Sequence, residues 1–190
     1  YVSLPQLRKQ HLHLYRRRHL LGLLQVQAQG HAAKGLKTAD RRERRAGAFG
    51  RVVDYLRISI TDRCNERCLY CLPEGYNGWA QRPDHLTTAE ILRLVRVAAG
   101  LGFRKFRLTG GEPLVRADVP ELVRGMAAIP GVEAIGLSTN GTRLAALARP
   151  LREAGVRSVN VSLDALDPVL YRRITGGDVA AVLAGIRAAV

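Results

Sequence analysis

Tyr55-Leu56-Arg57-Ile58-Ser59-Ile60-Thr61-Asp62-Arg63-Cys64-Asn65-Glu66-Arg67-Cys68-Leu69-Tyr70-Cys71 decides the fold, because it runs a strand straight into a loop that carries every thiol of the chain. Residues 55 to 61 are rich in β-branched and aromatic positions, which marks a strand. The three cysteines then fall within eight residues, and they are the only cysteines among 190 residues. Three thiolates on one loop can hold three corners of an iron-sulfur cubane, whereas the usual protein-bound cluster takes four cysteines. One iron would stay open, and an open coordination position is what separates a catalytic metal site from a structural one.

Plainer readings of the same residues stand beside this one. A structural zinc site uses two ligand pairs. Here Cys68 and Cys71 form one such pair, Cys64 lies outside it, and His85 is a candidate fourth ligand or simply a loop residue. Three ordinary buried cysteines would not crowd into a polar loop.

Downstream, strand and helix alternate. Thr87 and Glu90 form a capping box ahead of Ile91, Leu94, Val95, Ala98 and Leu101 at helical spacing, and Gly102 closes that helix. Phe106 to Thr109 reads as the second strand and ends in Gly110-Gly111-Glu112-Pro113. Asp118 is the expected N-cap of a helix bearing Leu122, Met126 and Ile129, with Glu121 completing the signal. Ala134 to Ser138 reads as the third strand, and Thr142 is the expected cap of a helix carrying Leu144, Leu147, Ala148 and Leu151, ended by Gly155. Val156 to Leu163 reads as the fourth strand, and Ala180 to Val190 as helix without a stop signal. Alternation at this spacing signals parallel βα units of an α/β fold, in which ligands gather at the C-terminal ends of the strands.

C-x3-C-x2-C with Tyr70 before the last cysteine resembles the signature of the radical S-adenosylmethionine (SAM) enzymes, and Gly110-Gly111-Glu112-Pro113 resembles that superfamily's GGEP segment. Leu56 to Asn65, Arg107 to Leu114, Leu137 to Gly141 and Asn160 to Ala165 are similar to the molybdenum cofactor biosynthesis protein A group, the GTP 3',8-cyclases. The resemblance covers about Phe49 to Val190. It implies an α/β partial (βα) barrel of the radical SAM type, with about four βα units of an expected six. It also implies a lyase that converts GTP to 3',8-cyclo-7,8-dihydro-GTP. Cys64, Cys68 and Cys71 would bind a 4Fe-4S cluster whose free iron chelates SAM. Cleavage of the sulfonium would yield methionine and a 5'-deoxyadenosyl radical, which takes hydrogen from the ribose 3' carbon before that carbon attacks C8 of guanine.

The resemblance assigns further side chains, each with a plainer role beside it. Tyr70 would touch adenine, or pack against its own loop. Gly110 and Gly111 would let backbone approach the methionyl part of SAM, and equally suit a tight turn. Glu112 would accept from the SAM ammonium, or be an exposed glutamate. Ser162 would bond SAM, or satisfy a barrel neighbour. Arg57, Arg107 and Ser138 correspond to positions that touch GTP. A guanidinium in a parallel sheet wants an anion, either a triphosphate or an internal partner such as Asp54 or Asp164.

Glu66 departs from the family, which has an apolar or aromatic residue there. Facing the cluster, it would lower cluster affinity or potential. Leu72 stands for a common methionine, a swap of little consequence. The family's second, C-terminal cysteine triplet, which holds another 4Fe-4S cluster, has no counterpart. With no initiating methionine and no stop signal after Val190, a chain cut at both ends is expected, with 48–190 as a truncated barrel domain. Two missing units would expose a strand edge and an apolar face.

The formal net charge of +14 is unevenly spread: residues 1–47 hold 11 Lys+Arg against 2 Asp+Glu, a net +9, leaving +5 elsewhere. That segment is expected to be a basic, disordered leader or extension. Arg16-Arg17-Arg18 followed by His19 to Val26 has the outline of a signal peptide, and the acid-poor composition also suits an organellar transit peptide. No apolar stretch approaches the roughly 18 residues that cross a bilayer. Thiols meant for a cluster need a reducing compartment, which points to the cytoplasm, or to a mitochondrial matrix if residues 1–47 are a transit peptide. The basic run lacks aromatic interleaving, so nucleic acid is not an expected partner. GTP and an electron donor such as flavodoxin or ferredoxin are the partners implied, with a homodimer left open. Two other readings are another radical SAM enzyme, such as a peptide maturase, and a non-catalytic zinc or basic nucleic-acid module.

Overall fold

Four short strands, β1 (Tyr55–Ser59), β2 (Lys105–Thr109), β3 (Ala134–Thr139) and β4 (Val156–Val161), pair in sequential order, all parallel. The computed structural model describes residues 53–71 and 85–190, all within the unit Ala39–Val190. The expected leader 1–47 and Leu72 lie outside them. Helix α1 (Thr88–Leu101) joins β1 to β2, and a 3-10 turn (Pro113–Val115) and α2 (Val119–Ala127) join β2 to β3. Helix α3 (Leu144–Ala154) joins β3 to β4, and α4 (Pro168–Thr175) and α5 (Val179–Ala189) follow. The α/β architecture of four βα units is therefore the one expected. No helix among the described residues is long and apolar enough to cross a membrane.

Strand periodicity sorts the sheet into two unlike faces. Ile58, Phe106, Leu108, Ile135 and Leu137 are buried against Ile91 and Val95 of α1, Leu122 and Met126 of α2, and Leu144 and Leu151 of α3. Each such side chain contributes roughly 1.5–3 kcal/mol on burial, so the fold is stabilised on this helix-covered side. The opposite face carries Tyr55, Arg57 and Ser59 in register with Lys105, Arg107 and Thr109, then Gly136, Ser138, Ser158 and Asn160. The register shifts between Ile135 and Gly136, so that Arg157 is an extra residue and Ser158 comes opposite Gly136. The face that the helices leave uncovered is thus polar and basic.

Several local expectations hold. The Thr87–Glu90 capping box is complete, and Gly102 and Gly155 end α1 and α3 in the left-handed conformation. Others are corrected. Leu101 is 51% exposed at the last turn of α1, while Phe103 packs against the core. Ile129 lies beyond α2, yet is buried. The strand expected to reach Thr61 ends at Ser59, and the one expected to reach Leu163 ends at Val161. Thr142 does not cap α3, because its hydroxyl and amide both go to Asn140 Oδ1 (2.8 and 3.1 Å). Asp118 precedes α2 without a capping bond. Its carboxylate instead accepts from Arg116 Nε (2.9 Å) and Nη2 (2.6 Å) and from the Thr88 hydroxyl. A forked, charge-assisted pair outcompetes a neutral backbone donor.

Arg116 Nη1 also donates to the carbonyls of Ile60 (2.8 Å) and Leu86 (3.0 Å), so one ion pair ties the end of β1 to the starts of α1 and α2. The Arg116 hydrogen bonds hold the Asp118 carboxyl down at about 2, against an ordinary 3.8. Because the folded value lies below the unfolded one, this stabilisation is complete above about pH 4 and is lost as pH falls towards about 2. In Asp118→Asn the melting temperature should therefore fall less steeply than in the parent between about pH 5 and about pH 2. Parallel acid limbs in the two proteins would contradict the assignment.

Candidate functional site at the cysteine loop

The loop that leaves β1 is gripped by the loop that leaves β2. Ile60 N donates to Thr109 O (2.9 Å), Gly111 N to Thr61 O (2.9 Å) and Glu112 N to Arg63 O (2.7 Å), so backbone pairing continues past the strands up to Cys64. The contact needs glycine. A Cβ on Gly111 would lie 2.4 Å from Arg63 O and 2.6 Å from Asp62 O, and one on Gly110, at φ 149°, 2.2 Å from Thr61 O. These two residues thus permit two backbones to touch.

Glu112 is 1% exposed, not the surface glutamate of the plainer reading. Its Oε1 accepts from Leu114 N (2.9 Å) and the Thr139 hydroxyl (2.8 Å), and its Oε2 from Asn140 N (2.6 Å). One carboxylate therefore joins the loops after β2 and β3. Burial pushes its pKa up, and the Asn140 and Leu114 amides oppose that shift.

Cys64 and Cys68 are half-buried and Cys71 is exposed, and all three are free. Burial raises the Cys64 and Cys68 thiols above the ordinary value; at Cys64 the Glu66 amide, 3.4 Å from Sγ, works the other way. Neighbouring loops steady this segment. Asn65 Nδ2 donates to the Thr142 hydroxyl (2.8 Å), Asn140 Nδ2 donates to Asn65 Oδ1 (2.9 Å), and the Tyr70 hydroxyl lies 3.0 Å from each Asp164 oxygen. Among the described residues no group of three or more His, Cys, Asp or Glu side chains converges on a single ion. A cubane asks for something different, since each thiolate takes its own iron and the sulfurs stay apart. Three free thiols on one loop, with an amide directed at one of them, fit that cluster. His85 Nε2 is engaged with Asp62 Oδ1 (2.6 Å).

Arg57, Arg107 and Ser138 share the polar face of the sheet, with Arg57 and Arg107 side by side in register. Arg107 spans the sheet: Nε donates to the Tyr55 hydroxyl (2.8 Å), Nη1 to Leu137 O (2.9 Å) and Nη2 to the Ser158 hydroxyl (3.2 Å). All three acceptors are neutral. The carboxylates considered as partners are engaged elsewhere, Asp54 with Lys105 Nζ (3.3 Å) and Asp164 with Tyr70. Arg57 is exposed and has no acceptor among the described residues. Ser162 lies just past β4, exposed, with its amide on Thr139 O (2.9 Å).

Sequence reasoning missed α4 and its Tyr171, whose hydroxyl reaches Glu66 Oε1 (2.9 Å). Asp167 followed by Pro168, with Gly176 at the far end, is the start-and-stop signal that marks this helix. It also missed Tyr55, Gly136 and Ser158 around Arg107, which the register alone brings together.

The model of the radical SAM superfamily matches residues 58–190. A GTP 3',8-cyclase of Moorella thermoacetica is 54% identical over 143 residues, covering 75% of this chain and 44% of that protein. One of Acidothermus cellulolyticus is 49% identical over 148 residues, covering 75% and 41%. The chain thus spans less than half the length of these relatives. Among solved structures, HydG, a maturase of the FeFe-hydrogenase, is 14% identical with a TM-score of 0.58 over 71% of this chain and 32% of its own, a likeness of fold.

Glu112→Ala should strand three donors in a buried position, Leu114 N, Asn140 N and the Thr139 hydroxyl. The expected loss is about 3 kcal/mol of unfolding free energy or more, at about 1–3 kcal/mol per orphaned group. Urea titration checks this, and a loss below about 1 kcal/mol would show that the carboxylate does not tie the loops.

Proposed function

The chain belongs to the radical SAM superfamily, and on that premise we propose that it is the cluster-bearing part of a GTP 3',8-cyclase, the lyase that makes 3',8-cyclo-7,8-dihydro-GTP for molybdenum cofactor biosynthesis. Membership of the superfamily implies a 4Fe-4S cluster and SAM. In this reading Cys64, Cys68 and Cys71 are the iron ligands, and the carrying observation is their common loop, clamped at its entry by Gly111 and Glu112. When bound, the cluster and SAM supply reductive cleavage of the sulfonium to a 5'-deoxyadenosyl radical.

The chain's own residues orient and bind. Glu112 Oε2 takes one internal donor and keeps capacity for an ammonium, and the exposed Ser162 hydroxyl and Tyr70 ring flank the same loops. Gly110 and Gly111 bring backbone to the site without side chains. On the polar sheet face, Arg107 is held in place by neutral groups, so its charge is uncompensated, and Arg57 stands next to it. Two adjacent cations with no anionic partner among the described residues suit a triphosphate, with Ser138 on the same face as a further contact. An electron donor such as flavodoxin or ferredoxin, a reducing cytoplasmic setting, and a domain from about residue 48 belong to the same proposal.

Anaerobic reconstitution with iron and sulfide, followed by electron paramagnetic resonance of the reduced protein with and without SAM, tests the cluster assignment. A four-iron signal that changes on adding SAM is expected; bound zinc, or a signal indifferent to SAM, would overturn it. For the nucleotide, Arg57→Ala removes one of the two adjacent cations. Gly136→Ala sets a Cβ 2.9 Å from both Arg107 Nη2 and Ser158 Oγ and so displaces the second. Each should weaken GTP binding by about tenfold or more. Dissociation constants equal to that of the parent would remove GTP from this face.

A further inference from the structure

The segment between Cys64 and Cys68 is docked on a helix that follows β4. Arg67 N donates to Thr175 O (2.7 Å) and Leu69 N to Ile174 O (2.9 Å), so the loop runs along the carbonyl end of α4. Beneath it, Glu66 is 4% exposed and Tyr171 0% exposed, and the phenol donates to Glu66 Oε1 at 2.9 Å. Gly177 closes the pocket, since a Cβ there would lie 2.0 Å from the same oxygen. Glu66 therefore lies in a pocket shaped to receive it, bonded to Tyr171, while staying near enough to Cys64 and Cys68 for its charge to push both thiols up.

A buried polar pair of this kind costs desolvation that an apolar pair would avoid, but it fixes a distance and a direction that apolar packing leaves loose. Arg67 Nη1 adds a brace by donating to Cys64 O (2.7 Å) and Glu66 O (2.8 Å). The loop is thus gripped at its entry by the loop after β2 and at its middle by α4.

We propose that Tyr171 is a positioning residue for the cysteine loop: by holding the Glu66 carboxylate it fixes the segment between Cys64 and Cys68, and with it two of the three thiols, against the end of α4. This rests on the reading of that loop as the cluster site. The placement of the Cys64 and Cys68 thiols, which would hold the cluster, is then set by a helix outside the motif. Outer groups that orient metal ligands in this way are commonly worth about 10–100-fold in affinity or activity.

The test is a double-mutant cycle with Tyr171→Phe, Glu66→Leu and the two together, each reconstituted with iron and sulfide. Iron content, SAM dissociation constant and the SAM-induced change in the reduced spectrum are read. Each single variant breaks the Tyr171–Glu66 bond, leaving a buried polar group with only Thr175 beside it, and should weaken SAM binding about tenfold and shrink the spectral change. The double variant, with two apolar side chains filling the pocket, should recover most of both. Single variants that fail to fold beside a double variant that binds SAM as the parent does would confine the pair to folding and count against the inference. Lower melting temperatures in the single variants with unchanged SAM affinity and spectrum would reduce the pair to a structural role and overturn the inference. So would a double variant no better than the worse single one. A parent protein that shows no SAM-dependent signal would instead overturn the cluster reading itself.

Discussion

Backbone pairing that runs beyond the ends of β1 and β2 is the constraint on which the rest depends. Parallel strands normally diverge into separate loops, yet here Thr61 and Arg63 continue as acceptors for Gly111 and Glu112. A Cβ at Gly110 or Gly111 would overlap carbonyl oxygens of the partner loop, so the pairing exists only because both residues lack one. From that contact the position of Cys64 follows, and Glu112 is delivered to the spot where the loops after β2 and β3 meet. Glycines and carboxylate are parts of one mechanical joint, whatever ligand they also serve.

The polar face of the sheet shows the opposite economy. The helix-covered side is filled with apolar side chains at full burial, but the other side carries two arginines with no counter-charge among the described residues. Arg107 is satisfied as a donor by Tyr55, Leu137 O and Ser158 without being neutralised. Hydrogen bonding and charge compensation are separate requirements, and only the first is met within the described residues. A surface prepared in this way attracts an anion that the fold itself does not supply.

Much of this was legible in the sequence, for reasons that can be named. The alternation of β-rich runs with capped, 3.6-periodic segments sufficed for four strands and for α1 to α3, because helix and strand periods are local properties. The cysteine and GGEP motifs were legible because each follows directly on a strand. What could not be read was which of several partners within reach a polar side chain takes. Asp118 and Thr142 stand where N-caps belong, but Arg116 with Thr88 takes the one, and Asn140 with Asn65 the other. The β4 bulge was equally invisible, and with it the placing of Ser158 beside Arg107. Helix α4 was readable from Asp167-Pro168 and Gly176; what it touches was not.

These corrections have one physical cause. A loop that must present chemistry cannot bury an apolar core of its own, so its geometry has to be held by polar contacts to other loops. Among the described residues no buried side-chain nitrogen or oxygen lacks a partner, and the carboxylates, amides and hydroxyls near the cysteines account for much of that satisfaction. Glu112, Asn140, Asp164 and Glu66 each reach across from one βα unit to another. Local capping fails at Asp118 because a forked, charge-assisted pair with Arg116, two residues away, is stronger than the backbone bond it displaces, and at Thr142 because its hydroxyl and amide are both taken by Asn140 Oδ1. Glu66 fits the same pattern: its buried carboxylate is met by the hydroxyl of Tyr171, 105 residues later.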